Sequence, residues 1–193
     1  MSRKILFSVP SQQIKDQIRT YLFPITQQKN ILAYMASDGS DESSKKFVDE
    51  WKQYAEANNA DFVEINNSLR GELAEEEKQK ITKANILIIT GGNTFKLLKH
   101  LRESGLDETV EEFAQKEENV IGGFSAGAIV LSPSIKTATQ EDNNEVHLID
   151  FTGLNIVPFL VVPHADTKEE YVKELENNGE EVCALNNDEF EVV

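Results

Sequence analysis

Cysteine occurs once in this 193-residue chain, at Cys183, which excludes an intramolecular disulfide and any zinc cluster built on several thiolates. Long apolar runs are also missing: none approaches the ~20 residues that a membrane-crossing helix requires. The opening MSRKILFSVPSQQ has a basic start, but its apolar stretch is too short for a secretory h-region, so a cytoplasmic location is expected. Positive charge is scarce, with 19 Lys and Arg against 34 Asp and Glu and a formal net charge of −15. That field repels phosphate backbones and anionic lipid, so neither nucleic acid nor a membrane is an expected partner. Solubility accounts for most of the charge, and acidity by itself names no substrate. Histidine occurs only three times, which makes a catalytic base assignable by elimination.

The remaining composition is ordinary for a globular protein, with 39% apolar and 27% charged residues. A chain of this length buries a full core without metal or disulfide. One domain over residues 1–193 is expected, with no metal and no cofactor. Short apolar runs at 5–9, 31–35, 62–65, 86–89, 120–121, 159–162, 181–185 and 190–193 read as strands. Between them, Ile14, Ile18, Tyr21 and Leu22 share one helical face, as do Phe47, Val48, Trp51, Tyr54 and Ala55. Phe95, Leu97, Leu98 and Leu101 mark a third helix, and Leu106, Val110, Phe113 and Ala114 a fourth. Thr167 and Glu170 read as a capping box for a helix carrying Tyr171, Val172 and Leu175, stopped at Asn177-Asn178-Gly179. Residues 132–153 have the weakest helical signal and are expected to form a hairpin or irregular excursion. Continuous apolar strands in βαβα succession predict an α/β three-layer sandwich, with a mostly parallel central sheet covered by helices on both faces.

In such sheets ligands gather outside the carboxyl ends of the strands. Three unusual segments fall there: TGGNTF at 90–95, GFSAG at 123–127 and PHAD at 163–166. GFSAG fits G-x-S-x-G, a tight strand-to-helix turn that thrusts Ser125 outward, with the first amides of a helix from Ala126 facing any developing negative charge. The same five residues also fit a glycine turn with a capping serine, and the pentapeptide alone does not choose. A serine nucleophile needs a base. His100, in TFKLLKHLRE, is expected on the solvated face of its helix, and His147 lies in the irregular segment. His164 directly follows a buried strand and a proline at the same edge as Ser125, so elimination selects it. Gly91 and Gly92 let backbone pass close to a ligand, and the amides of Gly92 and Ala126 together suit an oxyanion hole. A glycine turn with Asn93 or Thr94 as N-cap explains the same residues. Elimination fails for the acid, because Asp166, Asp188, Glu189, Glu141 and Asp142 are all candidates.

With GGNTFKLLKHL, GFSAGAIVLSP and PHAD in this order, the chain resembles the peptidase E (aspartyl dipeptidase) family of serine peptidases, from the second strand to the end. The resemblance implies a class I glutamine amidotransferase-like, flavodoxin-like fold and a Ser-His-acid triad that releases N-terminal aspartate from dipeptides. It implies Ser125 as nucleophile, His164 as base, Gly92 and Ala126 as oxyanion donors, and Asn93 at the substrate site. Three departures stand out. The family's triad acid follows a leucine near the end of the chain; in ALNNDEF that position is Asn187, so either a one-residue shift makes Asp188 the expected acid or the histidine is oriented by an amide or another carboxylate. An aspartate that some members carry downstream of the nucleophile falls at Gln140, just before Glu141 and Asp142. The family's T-R-E segment reads Thr167-Lys168-Glu169, so Lys168 is expected to meet a substrate carboxylate without the arginine fork. The expected partner is a small peptide, and a homodimer is admitted. The alternatives are a catalytically idle member that binds a small acidic ligand, and a hydrolase of β-aspartyl peptides or another amide.

Overall fold

Strands without polar alternation take the centre of the molecule, as burial on both faces requires. The structure, a computed structural model, describes residues 2–36 and 42–193. Its elements are β1 Arg3–Phe7, α1 Gln12–Leu22, β2 Ile31–Ala36, α2 Glu42–Ala57, β3 Asp61–Asn66, α3 Glu72–Lys83, β4 Ile86–Ile89, α4 Thr94–Ser104 and α5 Leu106–Gln115. They continue as β5 Val120–Phe124, α6 Ala126–Val130, β6 Leu160–Pro163, α7 Glu169–Asn177, β7 Val182–Leu185 and β8 Phe190–Val192.

The main sheet runs β3-β2-β4-β5-β1-β8. All its pairings are parallel except that of β8, which closes the edge antiparallel to β1. Helices cover both faces, giving the expected three-layer α/β arrangement. On one face α1 and α2 bury Ile14, Ile18, Leu22, Trp51, Tyr54 and Ala55 against the sheet. Trp51 stacks on Tyr34 of β2 and on Phe124 of β5, with centroids 5.9 and 6.4 Å apart. On the other face α4 and α5 contribute Phe95, Leu97, Leu98, Leu101, Leu106, Val110 and Phe113. Burying each such large apolar side chain stabilises the fold by about 1.5–3 kcal/mol. No described helix is long and apolar enough to cross a membrane.

Three features depart from the sequence expectations. α3 gave no periodic signal because its buried residues are only Ala74, Glu77 and Ile81. Lys78–Glu75 and Lys80–Glu77 contacts of 2.7 Å support it, and buried Glu77 accepts a hydrogen bond from the Asn66 amide. The strand expected at 159–162 does not join the main sheet. β8 takes the edge beside β1, and β6 pairs in parallel with β7 as a separate two-stranded sheet. On β6's other side, side chains replace a neighbouring strand: Val161 N donates to Ser132 Oγ at 3.0 Å, and Thr137 Oγ1 donates to Val161 O at 2.8 Å. The capping box before α7 does not form. The N-cap is Lys168 without a side-chain cap, and Thr167 Oγ1 instead donates to His164 O at 3.0 Å. Residues 132–153 close through a Ser134–Thr152 antiparallel bridge and contain a 3-10 turn at Lys136–Gln140.

Candidate active site

The five residues after Gly122 form a turn whose shape follows from its glycines. A Cβ on Gly123 would lie 2.4 Å from Gly127 O, and one on Gly127 would lie 2.1 Å from Ile89 O. Only hydrogen fits at either place, so β5 and α6 can meet at this sharp angle. Ser125 at the apex has φ 50° and ψ −119°, a region that costs a residue with a side chain about 1–3 kcal/mol. The strain is held by the Ser125 amide donating to Phe7 O and by Ala128 and Ile129 amides donating to Ser125 O. α6 is only five residues long, so its macrodipole is small and its free first amides are what it offers.

The histidine brought to Ser125 is His164. It follows Pro163 at the end of β6 and adopts the left-handed conformation, φ 54° and ψ 40°. Its Nε2 stands 3.3 Å from Ser125 Oγ, and its Nδ1 lies 2.6 Å from Asn187 Oδ1. Asn187 Nδ2 in turn donates to Asp166 Oδ2 at 3.1 Å. A line of polar groups thus runs from Ser125 through His164 and Asn187 to Asp166.

The other acidic candidates are engaged elsewhere. Asp188 is not the residue on His164; its neighbour Asn187 is, and Asp188 lines a cleft with Gln17, Cys183 and Glu191. The reason is the short tail of β7. Leu185 O is tied to Ser8, so the chain turns at once, and the second residue past the strand, not the third, reaches the imidazole. Glu189 Oε2 accepts from the Asn186 amide, Asp142 Oδ2 accepts from the Thr94 amide, and Glu141 pairs with Lys168.

The GGNT turn abuts Ser125. A Cβ on Gly91 would stand 3.2 Å from Ser125 Cβ, a tight approach, and Gly92 has φ 130°, a conformation that favours glycine. Asn93 caps α4, its Oδ1 accepting from Lys96 N at 3.0 Å, while its Nδ2 donates to Asn143 O at 2.9 Å. Lys168 is buried: its Nζ donates to Pro163 O at 2.7 Å and lies 2.8 Å from Glu141 Oε1. It borders a cleft of about 780 Å³ shared with Glu141, Asp166, Glu169 and Glu170. Two further groups are chemically quiet. Burial pushes the Cys183 thiol up to about 11, which keeps the single thiol protonated and poor as a nucleophile. Burial also pushes the Tyr34 phenol far above its ordinary range, so it remains a donor to Thr90 Oγ1 at 3.0 Å, beneath the GGNT turn.

Sequence reasoning missed Ser8, read there as one more strand residue. Ser8 is 1% exposed and sits just past β1; its Oγ donates to Leu185 O at 2.8 Å and accepts from the His164 amide at 3.0 Å. It joins the main sheet to both strands of the small one and fixes the backbone of His164. The only signal was its place at a strand's carboxyl end. Ser8→Ala leaves the buried Leu185 carbonyl and the part-buried His164 amide without this partner, which typically costs about 1–3 kcal/mol. It is also expected to lower kcat about tenfold or more through misplacement of His164. Thermal unfolding and steady-state kinetics measure the two effects.

The profile of Peptidase family S51 matches residues 9–190. A peptidase E of Shigella flexneri serotype 5b is 31% identical over 139 residues, covering 65% of this chain and 58% of that protein. A peptidase E of Nostoc sp. is 30% identical over 166 residues, covering 85% of this chain and 66% of that protein. The chain spans 42% of the length of two other curated relatives, uncharacterised peptidases of Listeria monocytogenes and Pasteurella multocida. Among solved structures, a candidate peptidase E from Listeria monocytogenes EGD-e superposes with a TM-score of 0.77 at 25% identity, covering 100% of this chain and 97% of that one.

Proposed function

The chain belongs to peptidase family S51, and on that premise we propose that it is a serine-type peptidase acting on short peptides. The observation that carries this reading is the hydrogen-bonded line Ser125–His164–Asn187 on a strained elbow. Ser125 Oγ attacks the peptide carbonyl while His164 Nε2 takes its proton, and the carbonyl π pair moves onto oxygen. The amides of Gly92 and Ala126 receive that oxyanion; one such donor is typically worth about 10²–10³ in rate. Collapse expels the amine, which takes the proton from Nε2. Water then repeats the sequence on the acyl-enzyme.

Asn187 serves where the family's carboxylate would stand. It accepts from Nδ1–H and so holds the ring, as asparagine does in Cys-His-Asn peptidases, but it lends no negative charge to the imidazolium. Dipeptides with N-terminal aspartate are the substrate class that the resemblance suggests. Lys168 bears on it: to meet a substrate carboxylate, it must leave Glu141. Asn93 is likewise held by its own cap and by Asn143, and would line the substrate site through its backbone.

The test pairs a fluorophosphonate probe with a panel of α-aspartyl, β-aspartyl, glutamyl and neutral dipeptides, using Ser125→Ala as control. Labelling confined to Ser125, with hydrolysis lost in the control, is the expected result. No labelling and no hydrolysis anywhere on the panel would overturn the reading in favour of an idle, ligand-binding protein.

A further inference from the structure

An amide beside a catalytic imidazole raises a problem that a carboxylate does not. Asparagine has an acceptor at one end and a donor at the other, and the two ends have nearly the same shape. With Nδ2 toward His164, Nδ1 would have to be the acceptor and the ring proton would sit on Nε2. The imidazole would then present N–H to Ser125 Oγ and could not take its proton. Nothing in Asn187 itself prevents that orientation.

Asp166 does. Its Oδ2 lies 3.1 Å from Asn187 Nδ2, and an ionised carboxylate only accepts, so the NH₂ end must face it. The Oδ1 end is thereby left toward His164 Nδ1, at 2.6 Å. Asp166 is held for this by its own turn. Residues Ala165–Thr167 form a 3-10 turn directly after His164, with the Thr167 amide and hydroxyl both donating to His164 O. The carboxylate and the imidazole are therefore placed by one short rigid segment, and Asn187 spans them. We infer that Asp166 is a positioning residue that sets the tautomer of His164 at one remove, by fixing which end of Asn187 faces the ring. The inference rests on His164 serving as the base for Ser125.

The tautomer is read directly by ¹⁵N NMR of the histidine rings in the full chain, at a pH where His164 is neutral. The wild-type protein is expected to hold the Nδ1–H form. Asp166→Ala, at an exposed position, is expected to give a mixture of both forms and a kcat about tenfold lower with KM within twofold. Asp166→Glu, which keeps an acceptor, is expected to restore the Nδ1–H form. In an Asn187→Asp background position 187 only accepts, so removing Asp166 there is expected to leave Nδ1–H dominant. An unchanged tautomer in Asp166→Ala, or the same shift in both backgrounds, overturns the inference. The NMR signal needs no turnover, so absence of peptidase activity and failure of this inference are separate outcomes.

Discussion

Alanine at His164 is expected to lower kcat/KM by about 10⁴–10⁶, and adding Ser125→Ala to it is expected to remove almost nothing more. The reason is the single contact between them. Ser125 Oγ has Nε2 at 3.3 Å as its base, and a hydroxyl without its base is nearly as idle as no hydroxyl. Losses from parts that act as one unit do not add. The residual rate belongs to binding and to the backbone donors around the oxyanion. His164 sits in the left-handed region, where alanine is strained, so His164→Asn is the matched control: asparagine tolerates that conformation and carries no base. Both variants are measured on the best dipeptide of the panel, with circular dichroism to verify the fold. Additive losses in the double variant would mean that serine and histidine do not work together.

Gly127→Ala is expected to destabilise the protein by about 3 kcal/mol or more, beyond what overpacking an ordinary core position costs. Its added methyl would lie 2.1 Å from Ile89 O and 2.8 Å from Thr90 O, which are backbone atoms that cannot rotate aside. Relief requires separating α6 from the end of β4, and that opens the elbow itself. Thermal melts should show a midpoint about 6–12 °C lower, given roughly 2–4 °C per kcal/mol for a chain of this size. Activity should fall with it, because β4 carries the GGNT turn that abuts Ser125. A variant that melts within a degree or two of the parent would show that glycine at 127 is not needed for packing.

Much of this arrangement was legible beforehand because its signals are local. β4 is four apolar residues in a row, and the α4 and α5 stripes bury the residues their spacing assigns. Three loops at strand carboxyl ends converge as an α/β sheet dictates, and scarcity of histidine left one base to choose. The rest depends on contacts between distant segments. α3 has too thin an apolar stripe to announce itself, being held by Ile81 and Ala74 in the core and by Glu77 on the Asn66 amide. That β6 leaves the main sheet is decided by β8 and by Ser132 and Thr137, residues far along the chain from it. Counting along ALNNDEF gives Asn187, and only the preference for a carboxylate moves the expectation to Asp188; the anchoring of Leu185 by Ser8 keeps the register at Asn187. Asp166 was visible as a carboxylate, but its role appears only once Asn187 lies between it and the ring.

The proposed nucleophile and its proposed base belong to different sheets. Ser125 closes β5 of the six-stranded sheet, whereas His164 and Asn187 close β6 and β7, which with α7 have a small apolar cluster of their own in Leu160, Val162 and Leu175. The Ser125–His164 distance is therefore a docking coordinate between a large body and a small one, crossed by the hydrogen bonds of Ser8, Ser132 and Thr137 and by Val161 and Leu185, which pack into the main core. Sub-global openings expose less apolar surface than complete unfolding and are reached at lower free energy. On warming, parting the imidazole from the serine also draws Val161 and Leu185 out of the main core, and activity is expected to fall before the rest of the main sheet melts.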